Sequence, residues 1–208
     1  MYAEKFKDKN VCITGGLGFI GSAIARKLAN IANVTVIDSL IPEYGGNIFN
    51  VNNCKEKLDI KLWDVRDIEK LEHLFRDADY IFNMAGQTSH MDSMADPYTD
   101  LEINTAAQLS ILECVKLHNP SVKVVFASTR QLYGKPDYLP VNESHPIRPV
   151  DVNGINVISN QILSFSEFEA FTSPCQPFFL FSIIIFSIIA CSVLLVDKIS
   201  EKLLDLLN

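Results

Sequence analysis

The sequence lacks the cysteine and histidine patterns of metal-binding or disulfide-linked proteins. It has five cysteines, an odd number, with no C-x-x-C pair and no cysteine or histidine at zinc-ligand spacing. We therefore expect no metal site. Unpaired cysteines are typical of a reducing compartment, so the chain is expected to be cytoplasmic.

Clusters of positive charge are also missing. The formal net charge is −7, and no basic run stands against it. Because nucleic-acid phosphates are bound by basic surfaces, no nucleic-acid partner is expected. The opening residues, MYAEKFKDKN, lack the apolar core of a secretory signal peptide, so none is expected.

Charged side chains are absent from residues 170–196. Within this stretch, the apolar segment 178–196 approaches the ~20 residues that a membrane-spanning helix needs. Two alternatives stay open, a membrane anchor that leaves the preceding residues in the cytoplasm, and a segment that covers the sheet or has no role. The expected division is a domain at 1–160, a linker at 161–177, a hydrophobic helix at 178–196 and a short amphipathic tail at 197–208.

Short apolar runs alternate with segments of helical periodicity through the first part of the chain. The predicted strands are 10–14, 33–38, 58–64, 79–86 and 122–129. The predicted helices are 19–31, 68–75 and 96–118. This alternation predicts an α/β fold, a Rossmann-like doubly wound parallel sheet with helices on both faces. The pattern stops near residue 160, so the sheet is expected to be incomplete at its C-terminal side.

A glycine-rich turn, TGGLGFIGS, follows the first predicted strand directly. Its glycines are spaced to lead a strand into a helix whose N-terminal N–H groups can approach a pyrophosphate. The residues predicted to line a cofactor here are Gly15, Gly18, Phe19, Ile20 and Gly21. Asp38 ends the second strand about 20 residues on, where a carboxylate binds ribose hydroxyls and disfavours a 2′-phosphate. We predict NAD as the cofactor; the alternative is that the glycines only shape a turn.

Further motifs extend this pattern along the chain in a fixed order. They are TGGLGFIG (14–21), DVRD (64–67), NMAGQTSHMDSMADP (83–97), EIN (102–104), ASTRQLYG (127–134) and NESHPIRPVDVNG (142–154). In these motifs the chain resembles the extended short-chain dehydrogenase/reductases, specifically the NAD-dependent nucleotide-sugar epimerase/dehydratase family. The resemblance implies transient hydride transfer from a UDP- or dTDP-sugar to NAD, a substrate domain that is mostly C-terminal, and homodimers formed through helices that here include 97–118.

The resemblance also implies roles for particular residues. Those expected at the cofactor are Asp64 and Val65 beside the adenine, Met84, Ala85 and Gly86 along the dinucleotide, and Asn104 as a buttress. Those expected at the nucleotide sugar are Ser89, His90 and Thr129, the last bonded to the reacting hydroxyl. Each has a structural alternative: Asp64 and Asp67 could cap a helix, His90 could be an ordinary histidine, Asn104 could satisfy backbone groups, and Thr129 could simply end a strand.

The acid–base pair of the family is missing. The family's Y-x-x-x-K pair follows an HP…P loop, and the gapless alignment with HPIRPVDVNGINV puts Asn153 at the tyrosine and Val157 at the lysine. Asn cannot ionise near neutral pH and Val carries no charge. Tyr138 is a conceivable substitute on the intervening loop, and Tyr133 is expected to be structural.

Two hypotheses follow from this substitution. In one, Asn153 occupies a working variant of the site and Thr129, His90 or Glu143 moves the proton. In the other, the chain is truncated or altered after about residue 156, where the resemblance ends. The expected function is a NAD-binding domain of a nucleotide-sugar epimerase or dehydratase with impaired turnover; the alternatives are a catalytically silent NAD- or nucleotide-sugar-binding module and a non-functional fragment.

Overall fold

The computed structural model describes residues 2–142, 144–159 and 181–183. The strands are β1 (Asn10–Thr14), β2 (Asn33–Ile37), β3 (Leu58–Lys61), β4 (Tyr80–Asn83), β5 (Lys123–Ala127) and β6 (Phe181–Ile183). The helices are α1 (Tyr2–Phe6), α2 (Phe19–Leu28), α3 (Ile68–Arg76), α4 (His90–Ala95), α5 (Pro97–Leu101), α6 (Ala107–His118) and α7 (152–159). Short 3₁₀ turns lie at Pro42–Tyr44, Ile48–Val51, Lys55–Lys57 and Arg130–Tyr133.

The strands form one parallel sheet in the order β3-β2-β1-β4-β5-β6. After β3 the chain crosses back to the other side of β1, so the strand order reverses between β1 and β4. In open parallel sheets, ligands bind outside the carboxyl ends of the strands at such a reversal. The predicted doubly wound Rossmann-like sheet is confirmed, and its topology fixes where a site should lie.

Apolar side chains cover both faces of the sheet, because successive residues of a strand point to opposite sides. One core joins α1 and α2 to the sheet through Phe6, Val11, Ile13, Ile24, Leu28, Val36 and Phe82. The other joins α3 and α6 to it through Cys12, Leu71, Phe75, Ile81, Ile111 and Val115. Each fully buried aliphatic side chain contributes about 1.5–3 kcal/mol. The continuous apolar runs of the sequence are therefore strands buried on both sides.

The predicted helix over 96–118 is interrupted in the structure. The Asp96 side chain accepts a hydrogen bond from Thr99 N, and Pro97 opens α5. A π-helical turn, Glu102–Ala106, then joins α5 to α6. In a π-helical turn the backbone hydrogen bond spans five residues instead of four, and such turns are frequent at functional sites. Here the turn contains Asn104, whose side chain is buried.

The C-terminal segment differs from its prediction where the structure describes it. Phe181–Ile183 forms β6, which pairs in parallel with β5, so the predicted helix over 178–196 is wrong for these residues. A continuous apolar run fits a strand buried in a parallel sheet as well as it fits a helix, and periodicity cannot separate them. The remaining residues of 178–196, the linker 161–177, the tail 197–208 and Glu143 lie outside the described residues. Among the helices that the structure describes, none is long and apolar enough to cross a membrane.

Candidate functional site

The glycine turn is packed too closely for other side chains. Gly15 has φ +62°, and a Cβ there would lie 2.8 Å from Ala85 N. A Cβ on Gly21 would lie 2.3 Å from the carbonyl oxygen of Gly15, so α2 can start this close to β1 only with glycine at that position. At Gly18 the nearest atom is 3.2 Å away, and the residue faces a cavity. The glycines thus bring two strand-end turns together and leave backbone exposed toward that cavity.

The N-terminus of α2 is open to an anion. Its N-cap residue is Gly18, no side chain caps it, and its first turn has no acidic residue. The free N–H groups and the helix dipole give this end of a helix a partial positive charge. A pyrophosphate bound there would take the place of the missing cap.

Asp38 closes the far side of the first cavity. Its carboxylate is buried and accepts from Leu17 N at 3.0 Å and from Leu40 N at 2.9 Å. Leu40 has φ +51°, a strained conformation for a branched side chain that the Asp38 bond helps to hold. A Cβ on Gly46 would lie 2.7 Å from Asp38 Oδ1. The close approach of this 3₁₀ loop to Asp38 was not predicted from the sequence.

Asp64 and Val65 line the same cavity after β3. The Asp64 carboxylate receives Arg66 Nε at 3.0 Å and Arg66 NH2 at 2.7 Å. The Arg66 side-chain bond is the main reason that the pKa of Asp64 lies below its usual value, against the opposing effect of partial burial. Asp67 occupies the N-cap position of α3, but its side chain pairs with Lys70 and accepts no capping bond from a backbone N–H of the helix, so neither aspartate caps α3 through its side chain.

The turn after β4 is fixed by a buried polar chain. Thr14 Oγ1 donates to Asn83 Oδ1 at 2.6 Å and accepts from Ala85 N at 3.2 Å. Asn83 Nδ2 donates to Gln108 Oε1, and Gln108 Nε2 donates to the Ala85 carbonyl oxygen at 3.3 Å. A Cβ on Gly86 would lie 3.0 Å from Asn104 Oδ1, so a side chain at this position would crowd the Asn104 amide.

The first cavity, of about 250 Å³, brings the predicted cofactor residues together. It is lined by Gly15, Gly18, Phe19, Ile20, Gly21, Asp38, Asp64, Val65, Met84, Ala85 and Gly86. Asn104 lines a neighbouring second cavity instead. The exposed glycine backbone, the uncapped helix N-terminus and the carboxylate beyond them match the pyrophosphate and ribose of a dinucleotide. The residues present therefore fit NAD.

The second cavity, of about 430 Å³, continues from the first. Met84, Ala85 and Gly86 line both. The second is also lined by His90, Asn104, Thr129, Asn153 and Val157. Ser89 lines neither cavity; its side chain accepts from Asp92 N and caps α4. Most of the residues predicted for the sugar side therefore meet in one space beside the cofactor cleft.

Asn153 and Val157 both face the second cavity from α7. Their i, i+4 spacing puts them on one side of the helix, as the family's tyrosine–lysine pair requires. Both side chains therefore line the cavity predicted for the sugar, and they differ from the family's pair only in residue type. Tyr133 and Tyr138 line neither cavity: Tyr133 packs edge-on against His145, and Tyr138 donates to Asn142.

A buried group of amides surrounds the Asp100 carboxylate. This amide cluster comprises Gln87, Asp100, Asn104, Asn153 and Asn156. Asp100 is 0% exposed and accepts from Nδ2 of Asn104, Asn153 and Asn156 at 3.1, 2.9 and 2.7 Å. In the described part of the chain no cation pairs with Asp100, so its oxygens are satisfied by amide N–H donors. Asn153 Nδ2 also reaches Gln87 O at 2.7 Å and Gln87 Oε1 at 3.2 Å.

A second hydrogen-bonded series follows the wall of the second cavity. Thr129 Oγ1 donates to Gln131 Oε1 at 3.1 Å, and Gln131 Nε2 donates to Asp151 Oδ2 at 3.4 Å. The same Asp151 oxygen lies 3.1 Å from His90 Nδ1. Two predicted residues, Thr129 and His90, are thus connected through two that the sequence did not single out.

Sequence reasoning missed five polar side chains of the two networks: Gln87, Asp100, Gln131, Asp151 and Asn156. Asp100 and Asn104 are four residues apart, and Asn153 and Asn156 are three apart, so each pair shares a helix face. Polar residues in a repeat that should be apolar signal a buried network, and that signal was available for Asp100. Gln131, in a 3₁₀ turn, and Asp151, directly before α7, gave no such signal. No metal-binding group of His, Cys, Asp and Glu occurs among the residues that the structure describes.

Comparisons with known proteins agree with this geometry. The family model for GDP-mannose 4,6 dehydratase matches residues 12–155. A Methanocaldococcus jannaschii protein assigned as a UDP-glucose 4-epimerase is 36% identical over 149 residues, which are 70% of this chain and 47% of that protein.

Solved structures give the same result. The UDP-N-acetylglucosamine 4-epimerase of Methanobrevibacter ruminantium M1, in complex with UDP-N-acetylmuramic acid, is 35% identical with a TM-score of 0.72, and covers 79% of this chain and 52% of its own. A dTDP-glucose 4,6-dehydratase from Streptomyces venezuelae with NAD bound is 27% identical with a TM-score of 0.70, over 77% of this chain and 52% of its own. NAD is thus a cofactor of the related structures, as the sequence predicted, and this chain spans about half the length of those proteins.

Proposed function

The chain belongs to the NAD-dependent nucleotide-sugar epimerase/dehydratase family of the extended short-chain dehydrogenase/reductases, and on that premise we propose that it binds NAD and a nucleotide sugar but turns over slowly. The first cavity holds NAD and the second holds the sugar. The observation that carries the proposal is the first cavity, where the glycine turn, Asp38 and Asp64 converge. We also propose that the protein is cytoplasmic, because NAD is present in that compartment.

The contacts to NAD follow from the lining of the first cavity. The uncapped start of α2 takes the pyrophosphate, Asp38 the adenosine ribose and the Asp64–Val65 turn the adenine. Met84, Ala85 and Gly86 continue toward the second cavity and lie along the nicotinamide half. Bound NAD supplies a hydride acceptor, and the protein supplies orientation and proton transfer.

The slow turnover is inferred from α7. A positioned general acid–base contributes about 10²–10⁴-fold to the rate of a proton transfer. Neither Asn153 nor Val157 replaces the family's tyrosine and lysine chemically. We expect hydride transfer to be slower by up to about that factor than in relatives that keep the pair.

A catalytically silent binding module is the second candidate. The observation that favours it is that three acceptors surround Asn153 Nδ2, so the side chain has a structural role in the amide cluster. A silent module binds NAD and a sugar nucleotide at unchanged affinity and forms no reduced nicotinamide.

Calorimetry with NAD and NADP, followed by a single-turnover assay, separates these candidates. NAD is expected to bind and NADP to bind at least tenfold more weakly, with Asp38→Asn reducing the difference. Reduced nicotinamide formed from UDP-glucose, UDP-N-acetylglucosamine or dTDP-glucose supports the enzyme, and none formed supports the silent module. A chain that binds no NAD contradicts both and leaves the non-functional fragment.

Self-association through 97–118 is also proposed. Apolar side chains on these helices are exposed, with Tyr98 at 77%, Leu101 at 43% and Leu117 at 71%. Pairing of two copies would bury them. Sedimentation analysis should give a dimer for the chain and a monomer for Tyr98→Lys with Leu117→Lys; a monomeric wild-type chain contradicts the proposal.

A further inference from the structure

His90 and Asp151 form a side-chain pair at the mouth of the second cavity. His90 begins α4, and its Nδ1 lies 3.1 Å from Asp151 Oδ2. The Asp151 side chain is 7% exposed and the His90 side chain 53% exposed. One edge of the imidazole therefore faces a buried carboxylate, while the ring itself lines the cavity.

Asp151 is held in place independently of His90. Its Oδ1 accepts from Gly154 N at 2.6 Å at the start of α7, and its Oδ2 receives Gln131 Nε2. The carboxylate thus cannot follow the imidazole if the ring moves, and it fixes the ring's orientation. A carboxylate accepting from Nδ1–H selects the tautomer whose Nε2 carries the free lone pair.

Asn153 cannot take the proton that hydride chemistry releases. Its Nδ2 is occupied by Gln87 and Asp100, and its amide oxygen is an acceptor without useful basicity. Among the residues that line the second cavity, His90 carries an imidazole nitrogen that can accept a proton, and a buried carboxylate lies behind its ring.

We propose that His90, oriented by Asp151, is the general base and acid of this site in place of the missing tyrosine. The sugar hydroxyl gives its proton to His90 Nε2 while the hydrogen on the same carbon leaves as hydride to the nicotinamide. The carbinol becomes a carbonyl, NAD⁺ becomes NADH, and the imidazolium rests against the Asp151 carboxylate. When hydride returns to the carbonyl carbon, the imidazolium gives its proton back to the sugar oxygen. This step rests on the proposed function, since it needs NAD and a nucleotide sugar in adjoining cavities.

Thr129 and Gln131 extend the pair toward the sugar. The Thr129–Gln131–Asp151 series joins the hydroxyl expected to bond the substrate to the carboxylate behind the base. In this scheme His90 transfers the proton, Thr129 bonds the reacting hydroxyl, and Asp151 is a positioning residue. Hydrogen bonds thus connect side chains from three separate segments: the Thr129–Gln131 turn, Asp151 and His90.

The test compares His90→Gln and Asp151→Asn with His118→Gln in the full chain. His118 ends α6, lines neither cavity, and also lies beside a carboxylate, with its Nε2 3.6 Å from Glu72, so it provides the same substitution outside the site. Asn retains the helix-capping ability of Asp151 but removes its charge. NAD affinity is measured by calorimetry, and hydride transfer by single-turnover absorbance of reduced nicotinamide with UDP-glucose, UDP-N-acetylglucosamine and dTDP-glucose.

The expected result is unchanged NAD affinity in all variants and hydride transfer lowered at least 10²-fold in His90→Gln. Asp151→Asn should lower the rate less, without changing the half-saturating sugar concentration. Nitrogen NMR should show the Nδ1-protonated tautomer of His90 in the wild type and a mixture in Asp151→Asn, a readout that does not need turnover.

Two results would overturn the proposal while leaving NAD binding intact. One is His90→Gln turning over at the wild-type rate. The other is a wild-type chain that binds NAD and sugar nucleotide but forms no reduced nicotinamide. Absence of NAD binding in the wild type instead refutes the proposed function itself, and the calorimetry reports that separately from the rates.

Discussion

Replacing Asp100 with alanine is expected to remove about 2–4 kcal/mol from the free energy of unfolding. The substitution leaves Asn156 Nδ2 without its buried acceptor, which costs about 1–3 kcal/mol. Asn104 and Asn153 keep the Gln87 carbonyl oxygen at 2.9 and 2.7 Å, so each should lose only about 0.5–1 kcal/mol. Relief from burying a carboxylate offsets part of the sum.

The loss should be measurable because small domains have total stabilities of about 5–15 kcal/mol. Urea unfolding would be followed by circular dichroism and by the fluorescence of Trp63, the single tryptophan of the chain. The midpoint should fall at constant slope, since a change in slope would report altered compactness rather than lost stability. Asp77→Ala, at an exposed position at the end of α3, is the matched control and should stay within about 0.5 kcal/mol.

The reasoning fails if Asp100→Ala is as stable as the control. That outcome would mean that water or rearranged amides satisfy the donors at no cost, and that the cluster does not hold α5, the π-helical turn and α7 together. A loss well above about 5 kcal/mol would also contradict it, because the remaining Gln87 bonds would then contribute nothing.

Three further substitutions and treatments have expected outcomes. Asn153→Tyr with Val157→Lys should raise single-turnover hydride transfer by up to about 10²–10⁴-fold over wild type. It should also cost about 1–3 kcal/mol of stability, because the single O–H of a phenol cannot donate to both Gln87 and Asp100 as the Asn153 amide does; equal rates would contradict the assigned positions. Gly21→Ala should destabilise the fold by more than about 2 kcal/mol in urea unfolding, because its Cβ would lie 2.3 Å from a carbonyl oxygen. Gly18→Ala should keep stability within about 1 kcal/mol and weaken NAD binding in calorimetry. The reverse order of the two stabilities would refute the cleft geometry. Burial, with a smaller contribution from Asp59, raises the pKa of the Cys12 thiol to about 12, so peptide-resolved mass spectrometry at pH 8 should find Cys12 unalkylated in the folded chain and alkylated in urea; rapid modification of the folded chain would contradict this.

The strands and the glycine turn were predictable because their signals are local. The run NVCIT is a buried strand, and the glycine spacing after it predicts a strand-to-helix turn without information from distant residues. Asp38 was found by its distance from that turn, and the structure places it in the same cavity. Fold class followed from the alternation of such signals and is confirmed.

The polar networks were not predictable because they join distant residues. His90 and Asp151 are 61 positions apart, and Asn153 meets Asp100 across 53. Such pairs depend on which distant segments the fold brings together, and a short window of sequence does not encode that. Phe181–Ile183 shows a related limit, since an apolar run does not say whether it will pair as a strand.

The π-helical turn between α5 and α6 sets how the buried polar face of α5 is rotated relative to the buried apolar face of α6. Asp100, on α5, must point into the amide cluster, while Ile111 and Val115, on α6, must point into the apolar core. An α-helix advances about 100° per residue, so deleting one residue from Glu102–Ala106 would rotate one face away from its partner by roughly that angle. A single-residue deletion at this turn should therefore disrupt both faces, whereas a substitution at the exposed Glu102 should disrupt neither.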